Sequence, residues 1–498
     1  MLLLGIDIGT SSVKVSVVDA QTQRTITTVQ YPETEREIKS VKPGWAEQHP
    51  IQWWSDTKAA IMKAHAAQAY NPKDIVSIGI AYQMHGLVVV DHSHKPLRDA
   101  IIWCDSRAID YGETAFNQLG KKKALSSLLN SPGNFTASKL AWVKENEKDI
   151  YDRIYKIMLP GDYIAMELTG NITTTVSALS EGIFWDFKHK RISTELLSCF
   201  GFTEDVIPDI HDVFSNHGTL LKKIADELNL SEGIPITYKS GDQPNNALSL
   251  NVMNPGEVAT TAGTSGVIYA VTDKLLYDKR SRVNTFAHVN YKKDEPRLGV
   301  LLCINGTGIM TRWARDIMGN GRSYKEMNEH ADAIAVGSNG LLCFPFGNGA
   351  ERMLENKLLN AHFNNIDLNI HSAAHMYRAV GDGIAFAFRY GLDIMRDNGL
   401  QPSVVKAGKA NMFLNDVFSR AFVNATGLAL ELYQTEGSTG AALGGGIGAG
   451  IYKNSEEAFM HLRSVQTLEP GRETDAYEGI YHKWLNQLKE YIKRSAAT

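Results

Sequence analysis

Short aliphatic and β-branched runs, separated by polar turns, fill the first thirty positions of the chain. Leu2–Ile8, Val13–Val18 and Thr25–Tyr31 therefore predict three successive strands. The period then changes. Apolar residues recur at helical spacing from Ile51 to about His65, a further strand pattern covers Ile75–Ala81, and helical spacing returns over Ala137–Glu145 and Thr219–Leu228. After Gly233 the strand pattern restarts as IPITYKS. A long helix pattern runs from His371 to Arg396, the small-residue run ALGGGIGAGIY closes the core, and a polar C-terminal helix follows. Strands and helices mixed in this order predict an α/β layer architecture.

One phrase is written twice: GTSSVKVSVVD at Gly9–Asp19 and GTSGVIYAVTD at Gly263–Asp273. Each copy lies between two strand-forming runs and reads as a strand, a Gly-Thr-Ser turn and a returning strand. Such a turn offers backbone N–H groups and hydroxyls without bulky side chains, as a loop cradling phosphate requires. Two copies imply two related halves with a nucleotide held between them. The boundary is expected near 240, giving domains 1–240 and 241–498. With no low-complexity or Pro-rich linker, the halves should touch closely and move by a hinge.

The 498-residue length is too great for one ordinary core and fits two large domains. With 51 basic and 55 acidic residues and a net charge of −4, nothing marks a nucleic-acid or anionic-membrane partner. A small-molecule partner is the expectation. The four cysteines show no C-x-x-C spacing, and Asp7 and Lys14 interrupt the apolar run MLLLGIDIG before a signal or membrane segment could form. These features lead to the expectation of a cytoplasmic protein.

Asp7 ends an apolar strand directly before the first turn, where a carboxylate needs a partner. A divalent cation bridging ATP phosphates would supply one; capping of the turn is the alternative. Asp242, in KSGDQPNNALS, stands where a strand ends and a helix begins. It is a candidate general base for activating a sugar hydroxyl, or else part of a helix N-cap. AYQMHGL puts Gln83, Met84 and His85 at a strand end, a place where open α/β sheets present groups to a ligand crevice. WCDSR adds Trp103, Asp105 and Arg107, an aromatic face with two charged groups, which could equally be a salt bridge. His371 and His375 lack a third metal ligand at fitting spacing, so they are expected to be packing or surface residues. Gly444, Gly446 and Ala449 match a loose dinucleotide motif without an acid at the ribose position, and no Walker A sequence occurs.

Taken in order, these segments resemble the FGGY carbohydrate kinases, and most closely their xylulokinase branch. The markers are GWAEQHPIQWW, IAYQMHGLV, WCDSR, FTASKLAWV, LPGDYIAMELTG, GDQPNNA, AGTSGV, GAER and GAALGGGIGAG. The resemblance implies a two-domain α/β fold of the actin-like ATPase (ribonuclease H-like) type with a cleft between the domains. It implies Mg2+ and ATP as cofactors, D-xylulose as the sugar, D-xylulose 5-phosphate as the product and a homodimer as the assembly. On this basis Asp7 and the turn Gly9, Thr10, Ser11 and Ser12 lie near metal and phosphates, and Asp242 is the base. Met84 and His85 contact the sugar, with Gln83, Trp103, Asp105 and Asn246 around them. Thr264 and Gly266, beside Gly263, face the phosphates, while Gly408 and Asn411 flank adenine. Where family members carry Gly-Gly-Gly, this chain reads Ala407, Gly408 and Lys409. CINGTGIM at Cys303–Met310 is more similar to sedoheptulose kinases, so sedoheptulose and ribulose are the alternative sugars. A chaperone-type ATPase or a silent sugar sensor is the alternative outside sugar kinases.

Overall fold

The computed structural model describes residues 1–495. The first half is built on a five-stranded sheet: β1 (Leu2–Ile8), β2 (Val13–Asp19), β3 (Thr25–Tyr31), β4 (Ile75–Tyr82) and β5 (Ile236–Gly241). Its order is β5-β4-β1-β2-β3. The three strands β5, β4 and β1 are parallel, and β2 and β3 continue as an antiparallel meander.

The second half carries seven strands: β6 (Glu257–Ala262), β7 (Gly266–Thr272), β8 (Asn284–Ala287), β9 (Leu298–Ile304), β10 (Val404–Gly408), β11 (Leu430–Tyr433) and β12 (Ser464–Leu468). They lie in the order β8-β9-β7-β6-β10-β11-β12. An antiparallel meander β6-β7-β9 and parallel neighbours β10 and β11 repeat the connectivity of β1-β2-β3 with β4 and β5. The duplicated phrase is thus the first hairpin of each of two topologically equivalent sheets.

Five helices matter for the site: α1 (Pro50–Ala66), α2 (Asp242–Ser249), α3 (Ala373–Asp397), α4 (Gly437–Gly448) and α5 (Thr474–Arg494). Side chains alternate across β1 with the period of a strand. Leu2, Leu4, Ile6 and Ile8 share a buried cluster with Trp53, Trp54 and Ile61 of α1. Leu3, Gly5 and Asp7 face the other way, where Leu3 meets Ala441 and Ala442 of α4. Helix α4, GSTGAALGGGIG, holds most of the ALGGGIGAG run, and its small residues allow close approach. A Cβ on Gly5 would lie 1.8 Å from the Ser438 carbonyl oxygen, and one on Gly79 would lie 1.9 Å from that of Ala441. A helix from late in the chain therefore covers the first sheet. The chain leaves that sheet at Gly241 and enters the second at Glu257, with α2 between.

Two expected elements differ. The helix expected over Thr219–Leu228 is shortened to Lys222–Glu227, because Thr219 is drawn into a β-bridge with Pro235. Helix α5 is amphipathic rather than polar, burying Tyr477, Tyr481, Trp484 and Leu488. At α3, Ser372 and His375 form a reciprocal cap, and the His371 ring accepts from the Asp367 N–H, so both histidines serve the helix start.

The halves touch at β8. The Asn130 amide donates to the Thr285 carbonyl at 2.7 Å and accepts from the Thr285 N–H at 2.9 Å. Ser177 donates to the Ala287 carbonyl, and Ser180 accepts from the Ala287 N–H, both at 2.9 Å. No helix among the described residues is long and apolar enough to cross a membrane.

Candidate active site

The register of the first sheet assembles the site. Asp7 pairs with Ala81, and Gly241 pairs with Tyr82, so the ends of β1, β4 and β5 lie side by side. Their continuations are the Gly9–Ser12 turn, the Gln83–His85 segment and Asp242. Ligands of open α/β sheets bind outside such carboxyl ends.

Asp7 lies on the α4 face of β1, against the start of that helix. A Cβ on Gly437 would come within 2.3 Å of its Oδ2. The Asp7 carboxylate makes no side-chain hydrogen bond among the described residues, and burial pushes its pKa up to about 6, with Lys14 opposing the shift. Asp242 is the first residue of α2. Burial and the nearby charge of Asp7 push it up to about 7. Two buried carboxylates with raised pKa values, the Asp7 charge contributing to the shift of Asp242, mark a place built for a cation, a transferable proton or both. Among the described residues no three His, Cys, Asp or Glu side chains form a metal cluster. An ion at Asp7 would take its remaining ligands from phosphate oxygens and water, which suits Mg2+.

Beside Asp242, Met84 is buried against β5, its Cγ 2.6 Å from where a Gly241 Cβ would stand. His85 has a left-handed backbone at φ 62°. Its Nδ1 lies 3.0 Å from the Glu181 carbonyl, which can only accept, so Nδ1 carries the proton and Nε2 is left as an acceptor. Burial, reinforced by Lys139, lowers the His85 pKa to about 3 and keeps the ring neutral. Its ring packs on Phe135 at 4.8 Å and on Phe286 of β8 at 5.2 Å, so both halves wall the pocket.

Three of the expected sugar contacts have other duties. Gln83 is buried; its N–H donates to Ile8, its Oε1 accepts from Thr10, and its amide donates to Gln48. It ties the first turn to β4. Asp105 is fully buried, and its oxygens are taken by Arg107 and by the Ala46 N–H at 2.6 Å, making it a buried structural ion pair. Trp103 is exposed and donates its indole N–H to the Thr10 hydroxyl at 3.0 Å, which puts it beside the Gly9–Ser12 turn. Asn246 lies on the second turn of α2, partly buried, with no side-chain bond among the described residues.

Within the first turn, Gly9 N–H closes on the Ser12 carbonyl at 3.0 Å, Ser12 is buried and Ser11 stays partly open. In the second turn, Gly263 and Thr264 line a cavity of about 800 Å3 together with Asn411. Gly308 and Ile309, opening a helix, donate to the Gly263 and Thr264 carbonyls at 2.9 and 3.1 Å. Tyr324 and Tyr377 give the cavity aromatic walls, and Asn415 donates to Asn328 at 2.8 Å on its rim. That volume and mixed lining suit a nucleoside. Gly266 does not line it. The place of its absent Cβ is filled by Phe388 and Thr307, so this glycine serves packing. Gly408 is partly buried at the end of β10 and also outside the lining, while Lys409 turns away to donate to Gln466 of β12.

Several residues near the site carried no assigned role in the sequence. Glu181 is buried, accepting from the Tyr82 hydroxyl at 2.8 Å and from the His85 N–H at 3.3 Å. Burial, with Asp242 nearby, raises its pKa well above the carboxylate range. Lys139 is buried too, donates to the His85 carbonyl at 2.7 Å and is lowered to about 7 by desolvation. From the second half, Arg352 brings its guanidinium to 5.8 Å from the Phe135 ring, and Glu351 accepts from the Asn305 and Gly306 N–H groups. The motifs FTASKLAWV and GAER, and the segment SALSEG at Ser177–Gly182, contain these residues; only the fold shows what they face.

Family profiles settle the affiliation. The N-terminal domain of the FGGY family of carbohydrate kinases matches residues 2–249, and its C-terminal domain matches residues 258–451. The chain belongs to the FGGY carbohydrate kinases. Xylulose kinase of Lactococcus lactis is 28% identical over 494 residues, spanning 98% of this chain and 96% of that protein. Xylulose kinase of Escherichia coli is 28% identical over 483 residues, 95% of each chain. Among solved structures, xylulose kinase from Rhodospirillum rubrum superposes with a TM-score of 0.90 at 20% identity over 100% of both chains. Plasmodium falciparum glycerol kinase with ADP gives 0.87 at 20% identity over 98% of each. The fold is that of the two-domain, actin-like FGGY kinases. As a member of this family, the protein is a phosphotransferase with an alcohol acceptor.

Proposed function

We propose that this kinase transfers the γ-phosphoryl group of ATP to the 5-hydroxyl of D-xylulose, with Asp242 as general base. The observation that carries the reading is the convergence of Asp7, Met84–His85 and Asp242 at three adjacent strand ends. Full-length similarity to proteins named xylulose kinase supports the choice of sugar. His85 Nε2 can accept a sugar hydroxyl proton while Met84 and the Phe135 and Phe286 rings exclude water. Asp242, ionised, takes the proton of the attacking hydroxyl. Gly263 and Thr264 line the cavity of about 800 Å3, which supports a nucleotide bound there with its phosphates toward this turn. Asp7 would hold Mg2+, which when bound would supply neutralisation of the phosphoryl charge. Closure of the halves would exclude water and suppress idle ATP hydrolysis. The reading places the enzyme in the cytoplasm, consistent with its four free thiols.

The test is ADP release with Mg-ATP and a panel of D-xylulose, D-ribulose, sedoheptulose, polyols and sugar acids, each against a blank without sugar. The expected result is the highest kcat/KM for D-xylulose. A higher value for another sugar overturns the substrate while keeping the kinase, and ATP binding without stimulation by any sugar favours a sensor or ATPase switch.

A further inference from the structure

A second cavity, of about 510 Å3, opens on the first half, and none of its lining belongs to the nucleotide cavity or to the sugar pocket. It lies among the loop holding His94, the Tyr155–Lys156 segment, the turn Gly170–Thr173, the strand Asp209–His211 and the loop Asn216–Gly218. Such a volume suits a monosaccharide-sized ligand.

Its polar ends are free. Among the described residues the His94 ring, the Asn171 amide, the Asp209 carboxylate and His211 Nε2 make no hydrogen bond, His211 using only Nδ1 on the Asn216 carbonyl. Lys156 donates to the Asp205 and Ile207 carbonyls at 2.7 and 2.9 Å, leaving the third ammonium proton unspent. His94 stands over Tyr155, with ring centroids 6.3 Å apart, and lines the same cavity as Lys156. The Lys156 ammonium and an N–H of the His94 ring are donors for a phosphate, whereas the His211 ring, its Nδ1–H spent on the Asn216 carbonyl, offers Nε2 as an acceptor for a hydroxyl. The Asp209 carboxylate and the Asn171 amide are partners for hydroxyl groups, and the acid disfavours a bare anion.

The floor connects to the catalytic strand. Thr173 Oγ1 lies 3.2 Å from His217 Nδ1, and the buried Lys239 ammonium donates to the Thr173 carbonyl at 2.6 Å and to its hydroxyl at 3.0 Å. Lys239 also pairs with the buried Asp162 at 2.6 Å. It sits on β5, the strand that ends at Gly241 and presents Asp242. A shift of Thr173 would thus move a buried ion pair whose backbone is that of the base-bearing strand.

We propose that this cavity is an effector site for a phosphorylated monosaccharide, with the phosphate on Lys156 and His94 and the hydroxyls on Asp209, Asn171 and His211 Nε2, coupled to Asp242 through Thr173 and Lys239. The inference does not depend on which sugar the kinase phosphorylates. The test uses the full chain saturated with Mg2+ and a non-transferable ATP analogue, titrated calorimetrically with D-glucose 6-phosphate, D-ribose 5-phosphate, inorganic phosphate and sorbitol. The comparison protein is His94→Ala/Asn171→Ala, whose changes lie outside the catalytic cleft and are expected to leave kcat and both KM values unchanged without effector. Binding of a sugar phosphate, weakened about tenfold or more in the double variant, supports the site. A change of kcat at saturation that the double variant lacks supports the coupling. Equal binding to both proteins, or no binding at millimolar concentration, overturns the site. Inorganic phosphate or sorbitol binding as tightly as the sugar phosphates overturns the ligand class, and binding without any change in kinetics overturns the coupling.

Discussion

At the scale of single residues, the raised pKa of Asp242 has consequences for both rate and stability. As the proposed base, it must be ionised, so kcat/KM for sugar is expected to fall as pH drops through about 7. Asp242→Asn should lose about 10²- to 10⁴-fold in turnover while retaining ATP binding; turnover close to wild type would remove Asp242 from the mechanism. A carboxyl raised from 3.8 to about 7 binds its proton more tightly folded than unfolded, so stability declines as pH rises between those values and stays reduced above them. Asp242→Asn should therefore stabilise the protein by roughly 1–3 kcal/mol at pH 8 and by almost nothing at pH 3.5, as read by denaturant melts at both values. Glu181 acts at one remove, holding Tyr82 and the left-handed His85 turn. Glu181→Ala should raise KM for sugar about tenfold or more with KM for ATP unchanged, and Glu181→Gln, which keeps an acceptor at Oε1, should recover most of the loss. Equal changes in both KM values would make Glu181 a general stability residue.

The elements carry a different kind of constraint, written in glycine. Helix α4 lies so close to β1 that Gly5→Ala would drive a methyl to 1.8 Å from the Ser438 oxygen, on backbone that cannot give way alone. The expected cost is about 2–4 kcal/mol in chemical unfolding. Gly479 in α5 has open space where its Cβ would be, so Gly479→Ala should gain about 0.5–1 kcal/mol by helix propensity. Similar effects from both substitutions would contradict the close packing of α4. This contrast also shows what was legible in the sequence. Period and turn chemistry placed β1 to β5, α1 and both hairpins, because those signals are local. The partner of ALGGGIGAG was not legible, since the first sheet lies more than four hundred residues upstream at Leu2–Ile8. Residue type had the same limit at the site: Asp7, His85 and Asp242 stood out by position at strand ends, whereas Gln83 and Asp105 could be recognised as structural only once Thr10, Gln48, Arg107 and Ala46 were seen around them.

For the whole molecule, catalysis by a cleft enzyme requires halves that move and yet return to one register. The fixed side of the joint is β8, where Asn130 answers both the N–H and the carbonyl of Thr285 and accepts from the Asn284 amide at 3.1 Å. Asn130 is buried, so removing its side chain leaves several polar groups without partners and without water. The joint also adjoins the sugar pocket, because Phe286, between these contacts and Ala287, packs on His85. Asn130→Ala should destabilise the protein by about 1–3 kcal/mol and loosen the mutual placement of the halves. In kinetic terms, KM for sugar should rise, kcat should fall, and ADP release without sugar should increase relative to the sugar-stimulated rate, because incomplete closure admits water to the transferring phosphoryl group. Asn130→Asp is the informative control: it keeps an acceptor for Thr285 and Asn284 but cannot donate to the Thr285 carbonyl, so it should fall between wild type and alanine. A variant that melts earlier but keeps the wild-type ratio of idle to productive ADP release would show that this contact sets stability alone, and the hinge would have to be sought at the Ser177 and Ser180 contacts to Ala287 instead.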